Sequence, residues 1–163
     1  MAKKFIILDT ETTGLEVRQG HKIIEIGAVV LNDRKKSSDH FHAYINPGRA
    51  IDEEASKVHG ISNQDLENEP MFAAIADDFI EFIQGSTLII HNAPFDVGFL
   101  NSELKSVSAK YPKLEDICEI EDSLVLARNK FPGQRNSLDA LANRFEVSGY
   151  DRSFHGALLD ANI

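Results

Sequence analysis

The stretch FIILDTETTG, residues 5–14, constrains this chain more than any other. Four large apolar residues, Phe5, Ile6, Ile7 and Leu8, run straight into Asp9, Thr10 and Glu11. A short continuous apolar run predicts a strand over residues 4–9 buried on both faces, which requires helices or a second layer on either side. In an extended chain Asp9 and Glu11, at i and i+2, point to the same side of the sheet. Like charges that close repel, which costs free energy unless a cation or a proton sits between them. Two carboxylates facing one way are hard oxygen donors for a divalent cation such as Mg²⁺ or Mn²⁺. Taken alone, the same pair also reads as solvated charge at a strand end.

The downstream pattern is that of an α/β chain. KIIEIGAVVL (22–31) predicts a second strand and HFHAYINP (40–47) a third, edge strand, with a polar turn between them at 32–39. These three form an antiparallel meander. Residues 52–58 predict a short helix, and Ser62 caps another. Pro70 opens an amphipathic helix whose stripe holds Phe72, Ile75, Ala76, Phe79, Ile80 and Ile83, closed by Gly85. STLIIH (86–91) is a buried strand followed at once by a helix with Pro94 in its first turn, a sequence of elements typical of a parallel crossover. DICEIED (116–122) predicts a last strand, Ser123–Lys130 a helix, Ser137 the cap of the next, and a final helix starts near Phe154. Without repeats, linkers or low-complexity segments, residues 1–163 read as one α/β domain: a central mixed sheet, antiparallel in front and parallel behind, with helices on both faces.

Composition removes several function classes. With 17 Lys+Arg against 26 Asp+Glu the formal charge is −9, so the surface as a whole repels a nucleic-acid backbone. An enzyme acting on nucleic acid with this balance needs bound cations and a local cleft. No apolar run approaches a membrane span, and Met1–Lys4 lead into a strand instead of a signal peptide, so a cytoplasmic protein with no membrane partner is expected. The single cysteine, Cys118, forms no internal disulfide and reads as a small buried hydrophobe in a reducing compartment.

Two further acids carry the argument. Asp96 falls in the first turn of the helix after STLIIH, where an acid complements the helix dipole. It also stands at the carboxyl end of a central strand, flanked by Phe95 and Phe99, where α/β folds place ligands. Asp160 sits in a nearly all-apolar helix (Ala157, Leu158, Leu159, Ala161, Ile163), and a charge there needs a partner. His155 precedes it by five residues, about 140° around a regular helix, so both reach one site only if His155 lies in the loop or first turn, where Gly156 gives freedom. Such a histidine beside several acids reads either as structural or as a base near a hard-metal site. His91 reads as structural, His40 and His42 as solvated, and Glu54 and His59 as candidates for touching a substrate's edge.

LDTETTG, HNAPFD and HGALLDA resemble the three motifs of the DEDD 3′–5′ exonucleases, in the branch whose last motif carries a histidine. GHKIIEIGAVVL, VHGI, DSLVLAR and FPGQRNSLDALANRFEV extend the resemblance to the proofreading epsilon subunits of bacterial DNA polymerase III, over residues 5–163. The resemblance implies a ribonuclease-H-like fold, Asp9, Glu11, Asp96 and Asp160 as metal-binding acids for two divalent cations (Mg²⁺ or Mn²⁺), and His155 as general base. It also implies a substrate-binding set of Thr10, Thr12, Thr13, Gly14, Glu54, His59, Asn92 and Phe95. The implied activity is release of 5′-mononucleotides from single-stranded or frayed DNA 3′ ends, proofreading for the replicative polymerase. The implied partners are the polymerase alpha subunit, bound through a tail that this chain is expected to lack, and a small theta-like subunit. A stand-alone exonuclease trimming RNA ends and a non-catalytic polymerase-binding subunit remain the rival readings.

Overall fold

The computed structural model describes residues 4–32, 35–147 and 156–162. The first strand, β1 (Lys4–Thr12), runs three residues past the predicted end, because the β-branched Thr10 and Thr12 prolong the extended backbone through the two acids. Burial along β1 alternates: Ile6, Leu8, Thr10 and Thr12 are buried on one face, whereas Phe5, Ile7, Asp9 and Glu11 are partly buried on the other. The strand is therefore central but not equally covered on its two sides. Asp9 and Glu11 lie in its last four residues, on the same face.

β2 (Ile23–Asn32) pairs antiparallel with β1, and its first eight residues are all buried. The register sets Asp9 opposite Gly27 and Glu11 opposite Glu25, with a bulge between Glu11 and Thr12. β3 (Lys35–Tyr44) pairs antiparallel with β2. It begins five residues before the predicted strand, in the segment read as a polar turn. That edge strand is mostly exposed, so its first half carries no apolar signal, and its lysines blunt a free edge.

Helices α1 (Glu53–His59) and α2 (Asn63–Leu66) follow, the second held by a capping box between Ser62 and Asp65. α3 (Phe72–Ile83) buries Phe72, Ala76, Phe79 and Ile83 at helical spacing. β4 (Thr87–Ile90) pairs parallel with β1, and α4 (Ala93–Val107) starts just after it. α5 (Leu114–Ile117) replaces the front of the predicted last strand, leaving β5 (Glu119–Asp122) parallel to β4. α6 (Ser123–Lys130), α7 (Leu138–Arg144) and α8 (Ala157–Asn162) complete the described residues.

The sheet order is β3-β2-β1-β4-β5, the predicted antiparallel front and parallel back. The main core joins the buried faces of β1, β2 and β4 to Phe79 and Ile83 of α3 and to Phe99, Leu100 and Leu104 of α4. α8 packs on β1 and β2, over the face that carries Asp9 and Glu11. Among the described residues, no helix is long and apolar enough to cross a membrane.

Candidate active site

β1 and β4 run parallel with Ile7 beside Ile89, so their carboxyl ends coincide. Whatever follows these ends converges on one place, as in other α/β sheets. Asp9 and Glu11 arrive on β1, Asp96 in the first turn after β4, and Asp160 on the helix lying across the sheet. One carboxylate oxygen from each of Asp9, Glu11 and Asp160 lies within 4.8 Å of the other two. Asp96 stands next to this trio, buried, and accepts a hydrogen bond from the Thr10 hydroxyl.

Gly27 makes the convergence possible. A Cβ at this position would overlap the backbone of Leu158. With hydrogen there instead, α8 lies directly on β2, opposite Asp9 in the register, and carries Asp160 to the acids of β1.

Crowding shows in the protonation of the acids. Burial, then the charges of Asp96, Glu11 and Asp160 and a hydrogen bond to Asp160, hold the Asp9 carboxyl well above the usual carboxylate range. Burial pushes Asp96 up to about 7, with the charge of Asp122 adding to the rise and the Thr10 bonds opposing it. Such a cluster fits a divalent cation: its donors are carboxylate oxygens, its excess negative charge is what a cation offsets, and no thiolate or imidazole belongs to it among the described residues.

Two hollows flank the acids. A cavity of about 560 Å³ is lined by Thr10, Glu11, Thr12, Gly14, Glu54 and Phe95, together with Leu15, His21, Asp52 and Val58. A smaller one of about 300 Å³ is lined by Asp9, Asp160, His91 and apolar residues including Phe145. Five of the eight substrate-binding candidates thus meet at one cavity. The other three stand elsewhere. Thr13 is fully buried and bonds the His21 ring at 2.8 Å. The ring of His59 bonds the Thr12 carbonyl at 3.2 Å and accepts from the Ile61 amide at 3.1 Å, holding α1 to the end of β1. Asn92 is the exposed residue before α4, in left-handed conformation with φ 67, its amide donating to Asp122 at 2.9 Å. His155 lies outside the described residues, as do the neighbours before Gly156.

Several polar residues at or near the site escaped the reading of the sequence. His21 is buried between Thr13 and Asp52, its Nε2 3.2 Å from the Asp52 carboxylate, and a Cβ on Gly14 would overlap its ring. His42 is exposed, as expected, but its ring is not free: its Nε2 lies 2.6 Å from the buried Glu25 carboxylate. Glu25 had a visible signal, a lone acid inside an otherwise apolar strand. His42 had none, because it stands on the exposed side of an edge strand and its partner is on another strand.

The exonuclease family model matches residues 6–163. The DNA polymerase III subunit epsilon of Rickettsia prowazekii is 54% identical over 158 residues, covering 97% of this chain and 69% of that protein. That of Escherichia coli is 49% identical over 162 residues, covering 97% of this chain and 67% of that protein. Among solved structures, exonuclease X in complex with 5′ overhanging duplex DNA superposes with a TM-score of 0.73 at 26% identity, covering 96% of this chain and 84% of that one. The chain belongs to the DEDDh family of metal-dependent 3′–5′ exonucleases and is closely related to the DNA polymerase III epsilon subunits.

Proposed function

We propose that this chain proofreads for a bacterial replicative DNA polymerase, removing mononucleotides one at a time from frayed or single-stranded DNA 3′ ends. The observation that carries the reading is the meeting of Asp9, Glu11 and Asp160 within 4.8 Å beside a cavity of nucleotide size. Asp9, Glu11, Asp96 and Asp160 would hold two Mg²⁺ or Mn²⁺ ions. Such a pair of ions, when bound, stabilises both the attacking and the leaving oxygen of an in-line phosphodiester displacement.

The chain's own residues bind, orient and move the proton. Phe95, held at 4.9 Å from Phe99, offers an aromatic face to a nucleobase, while Leu15 and Val58 border the same cavity with exposed apolar surface. Gly14 and the Thr10–Thr12 backbone bring little bulk and several polar groups to the terminal nucleotide. His155, just before α8 in the sequence, acts as general base and takes the proton of the attacking water; the new P–O bond forms as the P–O3′ bond breaks, leaving the phosphate on a 5′-mononucleotide and the 3′ oxygen, protonated from solvent, on the shortened strand. A protein of charge −9 handles a polyanion because the local charge of the loaded site, not the net charge, faces the scissile phosphate. Relatedness to epsilon subunits supports an assembly with the polymerase alpha subunit and a small theta-like subunit, with residues 1–163 as one exonuclease domain.

A 5′-labelled primer with a mispaired 3′ terminus, incubated with Mg²⁺, Mn²⁺ or EDTA, tests the reading. A ladder of single-nucleotide steps only in the presence of metal supports it. Internal cutting, or shortening that persists in EDTA, rejects it.

A further inference from the structure

We infer that the buried Glu25 carboxylate, oriented by His42, seats α8 on the sheet and thereby positions Asp160 in the acid cluster. The inference rests on reading that cluster as a metal site. Glu25 is only 3% exposed, in a strand whose neighbours are apolar, and a charge so placed needs partners for both oxygens. It has them. Oε1 accepts the backbone N–H of Ala157 at 2.7 Å, and Oε2 lies 2.6 Å from His42 Nε2 on β3.

Ala157 is the first residue of α8, and first-turn N–H groups have no partner inside their own helix. A carboxylate accepting there satisfies one of them and suits the positive end of the helix. Asp160 stands three residues further on, its own N–H donating to the Gly156 carbonyl at 2.8 Å. Anchoring Ala157 therefore fixes the rotation of the turn that carries Asp160. Gly27 and Glu25 act together here. The bare Gly27 lets the helix come close, and Glu25 fixes where along the sheet it rests.

The cross-strand register explains why His42 is part of the device. Asp9, Gly27 and His42 form one row across β1, β2 and β3, and Glu11, Glu25 and Tyr44 form the next. His42 leans along this face to Glu25 and leaves Oε1 for the helix. Neither Glu25 nor His42 lines the substrate cavity or joins the acid trio, so their effect on the reaction passes through α8. They are positioning residues.

Calorimetric titration of Mn²⁺ into EDTA-stripped protein tests this, with the parent, Glu25→Ala, Glu25→Gln and His42→Ala each held below its own melting midpoint. Groups that orient metal ligands typically contribute about 10–100-fold in affinity, so Glu25→Ala is expected to weaken binding by about that factor. Glu25→Gln, whose amide oxygen still accepts from Ala157, is expected to lose less, with His42→Ala in between. The Ala157 amide resonance should shift in Glu25→Ala and stay close to the parent in Glu25→Gln. A folded Glu25→Ala with parental Mn²⁺ affinity and only a lower melting temperature overturns the inference. If Glu25→Ala does not fold, parental affinity in both other variants overturns it, and weakened affinity in either supports it. A parent that binds no Mn²⁺ rejects the metal reading itself, a different failure.

Discussion

Asp9 on β1 and Gly27 on β2 face each other across the sheet, and the backbone of α8 rests where a Gly27 side chain would stand. A glycine in the middle of a strand weakens it, so its presence points to close approach of another backbone. Here the approach delivers Asp160. Gly27→Ala should push α8 outward and pull Asp160 from its partners. Overpacking of this kind costs about 1–3 kcal/mol, and at this chain length each kcal/mol lowers Tm by about 2–4 °C. Displacement of a reacting group by about 1 Å can cost about 10²-fold in rate. A melt and a kcat measurement at saturating Mg²⁺ check both expectations; an unchanged kcat would show that α8 tolerates the methyl without moving Asp160.

Metal-free protein should lose stability as pH rises. Asp96 titrates at 3.8 when unperturbed and is pushed up to about 7 in the fold, and Asp9 is raised as well. A raised carboxyl contributes no penalty below its unfolded value, because both states are protonated there. The penalty grows through the window from 3.8 to about 7 and is complete above it. In EDTA, Tm should therefore be higher at pH 5 than at pH 8. Asp9→Asn should raise Tm in EDTA at pH 8 while abolishing activity, since one crowded charge is gone. A lower Tm for this variant under those conditions would contradict the repulsion.

Thr10 reaches Asp96 from the buried face of β1, opposite to the face of Asp9 and Glu11. Its hydroxyl stabilises the ionised carboxylate, so Thr10→Val should move Asp96 further up and make protons stronger competitors for the site. A rise of about one in pKa makes proton binding about ten times tighter. With Asp96 half-ionised at pH 7 in the parent, apparent Mg²⁺ affinity there should fall by about fivefold, and the difference from the parent should shrink at pH 9. Equal affinity at both pH values would remove Thr10 from this role.

The part of this arrangement that follows local rules was legible. Alternation in a strand places Asp9 and Glu11 on one face without any tertiary information. The order of apolar runs and amphipathic stripes was enough for the mixed sheet. Features that depend on distant partners were hidden. β3 begins at Lys35 unseen because an exposed edge strand buries few side chains and so leaves no apolar pattern. Cys118 and its neighbours read as strand, yet the segment just before β5 turns into α5, since four residues carry too little periodicity to decide. His42 looked solvated because its partner sits on another strand, and Ala157 lies 132 residues from Glu25. That a glycine would seat the last helix is a long-range fact.

If His155 is the general base, His155→Ala should retain Mn²⁺ and DNA binding and slow hydrolysis by about 10²–10⁴-fold. The parent's rate should rise with pH through one ionisation at roughly 6.5, the ordinary imidazole value, because the neutral imidazole is the active form. That ionisation should vanish from the variant's profile at saturating Mg²⁺. A variant that keeps it at reduced rate would assign the proton transfer to another group.

The proposed function requires above all that Asp9, Glu11 and Asp160 form one cation site at the carboxyl end of β1. Anomalous diffraction from crystals soaked in Mn²⁺ at a concentration that supports activity tests it most directly. A Mn²⁺ peak in contact with carboxylate oxygens of all three residues, lost in Asp9→Asn, is expected. Strong peaks elsewhere and none among these acids would contradict it.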